Sequence, residues 1–268
     1  MPTLLGIPLD VNSSFLRGAS RAPAKIREAW RSDASNQWSE LGVDTGSAEA
    51  FADAGDLRLD DSRDTVTDDF GEIERAVSEL LRKGEQPISL GGDHSVTYPI
   101  VKAFAKRYPE LTIVHFDAHP DLYDEFEGSR VSHACPFARI MEERLAKRLV
   151  QIGIRTLNRH QREQAEKFHV EIIPMAALPA YDRLKNHGPV YISFDMDTLD
   201  PAFAPGISHR EPGGMTVREA ICHLHAIEGE IVGADIVEYN PEQDVGGTTA
   251  IVAAKILKEL MGKMIAAG

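Results

Sequence analysis

A chain of 268 residues with 43% hydrophobic and 26% charged residues can bury a full core and has ordinary globular composition. Its formal net charge of −13 argues against nucleic acid and anionic membranes as partners, because both need a basic patch. Two cysteines, Cys135 and Cys222, make neither a disulfide framework nor a thiolate zinc site, which points to a reducing cytoplasm. No secretory leader pattern opens the chain, and no apolar run approaches the roughly 20 residues of a membrane span.

Short Val/Ile/Leu-rich runs predict strands at 3–7, around 50–54, and at 87–90, 111–116, 149–154, 170–174, 190–194 and 231–237. Most are continuous, not alternating, as in a parallel sheet covered on both faces. Helical patterns fall between them at 22–32, 68–83, 95–107, 136–147, 159–168, 216–227 and 248–265. In the second, Ile73, Ala76, Val77, Leu80 and Leu81 recur at helical spacing. The alternation predicts a three-layer α/β/α sandwich with a mostly parallel sheet of about eight strands. With no repeat or linker, 1–268 reads as one domain. In such sheets, sites form where loops leave the carboxyl ends of strands.

Four of those ends carry polar residues. After 111–116 come Asp117, His119 and Asp121 in strict alternation. In an extended backbone they point to one side, and Pro120 lacks the N–H that central pairing would need. The structural alternative is a polar loop whose acids cap a following helix. After 87–90 comes Gly91-Gly92-Asp93-His94-Ser95, where the glycines permit a sharp turn and Asp93 is a candidate helix cap. His94 there is either a structural histidine or a ligand. After 190–194 come Asp195 and Asp197, two carboxylates that repel unless a cation or proton lies between them. Asp200, before Pro201, reads as a turn residue. Glu238 follows the last strand. His94, Asp117, His119, Asp121, Asp195 and Asp197 exceed the needs of one zinc. They suit two hard or borderline divalent ions, such as Mn²⁺, bridged by carboxylates. Without cysteine ligands, structural zinc does not fit.

GGDHS, DAHPD and SFDMDTLDP, in this order, resemble the metal motifs of the ureohydrolase family, the arginases and agmatinases. The resemblance spans nearly the whole chain, from Gly6-Ile7-Pro8 to Glu238-Tyr239-Asn240-Pro241. It looks closest to plant-type arginases at Asn12-Ser13-Ser14-Phe15-Leu16, at Phe126-Glu127-Gly128 and at Ser132-His133-Ala134. The resemblance implies an arginase-like sandwich, two Mn²⁺ per subunit and a homo-oligomer, trimer or hexamer. His94, Asp117, Asp121 and Asp195 would hold one ion. Asp117, His119, Asp195 and Asp197 would hold the other, so Asp117 and Asp195 bridge. His133 matches the family's proton-shuttle histidine, and Glu238 the acid that pairs with the guanidinium.

The chemistry is coherent. A resonance-stabilised guanidinium is a poor electrophile, and two metals lower the pKa of water from about 15.7 toward neutrality. Glu238 can orient the cation by charge-assisted hydrogen bonds, and a histidine titrating near ~6.5 can protonate the leaving amine. The far end of the substrate is expected to meet the segment 124–131 and the start of the fifth helix. Ser129 and Arg130 stand where plant-type arginases usually carry Asn and Lys, and Asn158 where arginases place a polar residue near the α-amino group. Arg130 pairs either with a substrate carboxylate or with solvent. Cys135 reads as a packing residue. The expected reaction is hydrolysis of L-arginine to L-ornithine and urea. The alternatives are agmatine to putrescine and urea, or another small cationic guanidino substrate. A metal-dependent deacetylase of the same general fold uses one zinc on an Asp-His-Asp set, which leaves His94 and Asp197 without a role. A non-catalytic relative would have lost ligands, and none is missing.

Overall fold

The computed structural model describes residues 1–47, 50–59, 66–180, 184–186 and 188–266. All eight predicted strands are present: β1 (Pro2–Gly6), β2 (Ala52–Asp56), β3 (Gln86–Leu90), β4 (Thr112–Phe116), β5 (Arg148–Ile154), β6 (Glu171–Pro174), β7 (Pro189–Asp195) and β8 (Glu230–Val237). They form one sheet in the order β2-β1-β3-β8-β7-β4-β5-β6. Every pairing is parallel. The interior strands β1 and β4 are buried at every residue, which is why their sequences read as unbroken apolar runs. The edge strands β2 and β6 are partly exposed.

Helices α1 (Ala22–Trp30), α2 (Val66–Arg82), α3 (Thr97–Arg107), α4 (Pro136–Glu142), α5 (Arg159–Phe168), α6 (Val217–His225) and α7 (Thr248–Ala266) cover both faces. On one face Ile26, Leu224, Leu257 and Leu260 of α1, α6 and α7 pack on Leu4, Ile88, Val114 and Ile192. On the other, Ile73, Val77, Phe104 and Phe137 of α2, α3 and α4 pack on Leu5, Ile113 and Tyr191. The predicted helix at 136–147 stops at Glu142. Arg144 turns left-handed at φ 56°, and the Leu145 N–H returns to the Ile140 carbonyl. That closure caps the helix and frees Lys147, whose N–H reaches the Leu111 carbonyl, to lead into β5.

The topology places the site. The chain lays β1 to β3 on one side of the sheet and β4 to β6 on the other. It then returns to insert β7 and β8 between β3 and β4. Strands β3, β8, β7 and β4 are therefore consecutive neighbours at the centre. Their carboxyl ends carry His94, Glu238, Asp195 with Asp197, and Asp117 to Asp121.

Candidate active site

The turn after β3 is built by close backbone approach. A Cβ on Gly92 would lie 1.7 Å from the Leu9 carbonyl oxygen, so only glycine fits there. The Asp93 N–H donates to that same carbonyl at 2.9 Å, and the Glu238 N–H donates to the Gly92 carbonyl at 2.9 Å. Asp93 caps the short turn that follows, its Oδ1 accepting from the Ser95 N–H at 3.0 Å. His94 and Glu238 are thus pinned to each other. A further bond, from the His94 N–H to Glu238 Oε1 at 2.9 Å, completes the clamp. Asp121 and Glu238 both adopt left-handed backbone, at φ 46° and 62°. Such strain costs about 1–3 kcal/mol per residue and persists where neighbours over-determine it.

The six candidate ligands converge. His94 Nδ1 lies 3.2 Å from Asp117 Oδ2, 3.0 Å from Asp121 Oδ2 and 3.1 Å from Asp195 Oδ2. This nitrogen is buried and makes no hydrogen bond of acceptable geometry. One imidazole nitrogen cannot donate to three oxygens at once. The arrangement is that of four ligand atoms facing a common point. His119 Nδ1 lies 2.9 Å from Asp197 Oδ2 and 3.4 Å from Asp117 Oδ1, which makes a second group sharing Asp117 with the first.

The electrostatics agree. Burial, reinforced by the charges of Asp197 and Asp117, pushes the Asp195 carboxyl well up. Burial and the Asp117 charge push Asp197 up to about 6. Carboxylates this close and dry need cations between them to stay ionised at neutral pH. Oxygen and imidazole donors without thiolates fit manganese-type divalent ions.

Surrounding hydrogen bonds fix the tautomers. Ser193 donates its hydroxyl proton to Asp235 Oδ1 at 2.7 Å, so its oxygen accepts from His94 Nε2 at 3.0 Å. His94 Nδ1 therefore keeps its lone pair for the cluster. Tyr191 and Thr97 hydroxyls hold the other oxygen of Asp235, at 2.7 and 2.9 Å.

His115 was not singled out by sequence reasoning. Gln151 Nε2 donates to the Pro120 carbonyl at 2.6 Å and faces His115 Nδ1 at 3.0 Å. That nitrogen must accept, so His115 Nε2 carries the proton and donates to Asp117 Oδ2 at 2.7 Å. The signal was present: His115, Asp117, His119 and Asp121 continue one alternation.

His133 and Glu238 sit beside the cluster. His133 Nδ1 lies 2.9 Å from Glu238 Oε1, and His133 Nε2 lies 2.8 Å from Ser14 Oγ. Burial works to lower the imidazole's pKa. The Glu238 charge and hydrogen bond outweigh it and raise His133 to about 9. Glu238 is held below its ordinary range, since His133 and the His94 N–H more than offset its burial. His209, also missed from sequence, lies tilted beside His133 with ring centres 5.2 Å apart. Its Nε2 is buried without a partner.

A cavity of about 180 Å³ opens onto this group, lined by Asp121, Asp195, Asp197 and Glu238 together with Tyr123, Thr156, Gln161 and Glu211. The three residues expected at the substrate's far end stand outside the lining. Arg130 is half-exposed and bonds Asp124 at 2.7 Å and Glu142 at 2.8 Å. Ser129 pairs through its backbone with Phe126 and accepts from the Val131 N–H. Asn158 caps α5, accepting from the Gln161 N–H at 2.9 Å, and donates to the Tyr123 hydroxyl. Its neighbour in the capping box, Gln161, is the one that reaches the cavity. Asp200 is a loop brace, accepting from the N–H groups of Ala202, Gly213 and Gly214.

The model of the Arginase family matches residues 2–262. The chain belongs to the arginase family. It is similar to "Arginase 1, mitochondrial" of Arabidopsis thaliana, at 45% identity over 98% of this chain and 80% of that one. It is similar to the agmatinase of Bacillus subtilis, at 36% identity over 96% of this chain and 90% of that one. Among solved structures, the arginase of Medicago truncatula superposes with a TM-score of 0.91 at 41% identity, covering 98% of this chain and 87% of that chain. This arginase-family chain is an amidinohydrolase, and its eight-stranded parallel sheet is the family's α/β fold.

Proposed function

We propose that this amidinohydrolase hydrolyses the guanidino group of L-arginine to give L-ornithine and urea, using two Mn²⁺ per subunit. The observation that carries this reading is the convergence of His94 Nδ1 with Asp117, Asp121 and Asp195, shared through Asp117 with His119 and Asp197, directly beside Glu238. His94, Asp117, Asp121 and Asp195 would hold one ion, and Asp117, His119, Asp195 and Asp197 would hold the other. When bound, the ions supply the Lewis acidity that makes water nucleophilic at neutral pH.

The chain's own groups do the rest. Glu238, buried and held below its ordinary range, binds the guanidinium by charge-assisted hydrogen bonds and so orients its single electrophilic carbon. The same carboxylate anchors His133, so the cation-binding group and the proton donor are held on one point. With its pKa near 9, His133 carries a proton at neutral pH and delivers it to the leaving amine. Burial of Asp195, Asp197 and Glu238 keeps bulk water from screening these contacts.

Beyond the acidic cluster the cavity lining includes Glu211, Tyr123, Gln161 and Thr156, whose hydroxyl already donates to the Ala118 carbonyl, and no Lys or Arg among its described residues. Glu211 suits an ammonium group, which arginine and agmatine share. Arginine's carboxylate would have only neutral donors, and this favours agmatine as the second reading. The plant arginase relatives favour arginine.

Urea release by the Mn²⁺-loaded protein from arginine, agmatine and 4-guanidinobutyrate, run in parallel, tests the assignment. We expect the highest kcat/KM with arginine. The guanidino acid, which lacks the ammonium, should be poorer by about 10²-fold or more. A preference for agmatine reassigns the substrate, and no urea from any of the three overturns the reading.

A trimeric or hexameric assembly is proposed on the family resemblance alone. Cys135 and Cys222 are unpaired, which fits a reducing compartment such as cytoplasm. The Arabidopsis and Medicago relatives are named mitochondrial, so their names do not support a cytoplasmic assignment here. Among the described residues, no helix is long and apolar enough to cross a membrane.

A further inference from the structure

We propose that Ser14 is the proton relay between His133 and bulk water, passing protons through its hydroxyl to the outer ring nitrogen of the shuttle. The inference rests on the proposed guanidino hydrolysis and deepens it, because a shuttle must be recharged after every turnover.

His133 is 7% exposed, so it needs a route to water. Both of its ring nitrogens are engaged. Nδ1 faces Glu238 Oε1 at 2.9 Å, and Nε2 faces Ser14 Oγ at 2.8 Å. Glu238 Oε1 already accepts from the His94 N–H, so it faces His133 as an acceptor and the Nδ1 proton stays in place. The proton that comes and goes is therefore the one on Nε2, and the Ser14 hydroxyl is its hydrogen-bond partner. A hydroxyl suits this place because it both donates and accepts. It accepts from the imidazolium and donates to the neutral ring, so one contact serves both protonation states.

Ser14 and His133 both line the cavity, Ser14 half-buried and His133 buried, so the hydroxyl is the more solvent-accessible of the pair. Its position is fixed by the loop around it. The His133 N–H donates to the Asn12 carbonyl at 3.2 Å. The Asn12 N–H donates to Asp93 Oδ2 at 3.0 Å, and its side-chain amide donates to Ser95 Oγ at 2.8 Å. The loop bearing Ser14 is thus tied to the turn that holds His94.

The step balances. After His133 gives its Nε2 proton to the leaving amine, Ser14 transfers its hydroxyl proton to Nε2 and takes one from a water molecule, which leaves as hydroxide or passes the deficit to buffer. Ser14 ends as a neutral hydroxyl and His133 as an imidazolium.

The test compares wild type, Ser14→Ala and Ser14→Thr as Mn²⁺-loaded full-length protein. For Ser14→Ala we expect unchanged metal content, KM within about threefold, and kcat lower by about tenfold or more, partly restored by added imidazole buffer. The pH–rate profile of Ser14→Ala should move, while Ser14→Thr should keep the wild-type profile and most of kcat. The titratable or charged groups facing His133 are Glu238, Asp93, Asp121 and His209. All are common to the three proteins, so a difference in profile reports the hydroxyl. A Ser14→Ala enzyme with wild-type kcat and profile overturns the relay. So does a loss that neither buffer nor Ser14→Thr repairs, which marks a packing role. Wild-type protein that releases no urea overturns the parent reading, and the relay with it.

Discussion

Asp195→Ala is expected to strip both ions from the protein and lower kcat by at least about 10³-fold. Asp195 Oδ2 is among the oxygens around His94 Nδ1, and Asp195 Oδ1 accepts from the Asp197 N–H at 2.7 Å. On the bridging assignment, its removal takes a ligand from each ion. Lewis-acid stabilisation amounts to several kcal/mol, and about 4 kcal/mol already corresponds to ~10³ in rate. Asp117→Ala should behave alike, since Asp117 is common to both ligand groups. The same substitution separates metal binding from folding. In the metal-free protein, Asp195 is a buried carboxyl pushed well up by burial and by Asp197 and Asp117. Deleting it relieves that repulsion, so the metal-free variant should melt at or above the metal-free wild type. Mn²⁺ should then raise the Tm of wild type and leave the variant unmoved. Metal analysis by plasma emission together with thermal melts checks both halves. A variant that retains two ions per chain would refute the bridging assignment.

Glu238→Gln should lower kcat/KM by about 10²–10³-fold while leaving the metal content intact. The substitution keeps the shape but removes the charge that faces the guanidinium, and a hydrogen bond to a charged group contributes about 1.5–3 kcal/mol. It also releases His133, whose imidazole should fall from about 9 toward its ordinary value of 6.5. The protonated shuttle would then be lost at lower pH, and the alkaline limb of the activity profile should move acidward. Stability follows the same pair. His133 is raised on folding, so its contribution is complete below pH 6.5 and disappears as pH rises through about 9. Glu238 is depressed on folding, so its contribution is complete above 4.5 and fades as pH falls below that value. The gap in Tm between wild type and Glu238→Gln should accordingly be widest near pH 5–6.5 and close toward pH 10. An unchanged gap at pH 10 would show that the pair contributes little.

The strands were legible because a central parallel strand must be apolar on both faces, and that leaves unbroken runs such as Ile113-Val114 and Val190-Tyr191-Ile192. The convergence of the six candidate side chains was legible because period-two spacing continues past the strand ends. Asp117, His119 and Asp121 share a side for the same reason that alternate strand residues do. His115 escaped attention because it lies inside β4, where a fully buried histidine looks like a core residue.

The far end of the cavity was not legible. Ser129, Arg130 and Asn158 lie in irregular segments, where side-chain direction is set by tertiary partners, not by a local period. Arg139, for instance, holds Asp124 at 2.7 Å, and Asp124 in turn takes Arg130 away from the cavity. Gln161 and Glu211 reach the cavity through a capping box and through a loop whose carbonyl is gripped by Arg155. Ser14 arrives from a loop more than a hundred residues distant from His133 in sequence, and only the folded chain brings the two together.

Titration of metal-stripped protein with Mn²⁺, with urea release followed at each addition, tests the central claim most directly. A two-ion site built from His94, Asp117, His119, Asp121, Asp195 and Asp197 predicts an inactive stripped protein whose activity climbs to a plateau at two equivalents per chain. Full activity in the stripped protein, or a plateau at one equivalent, would contradict it.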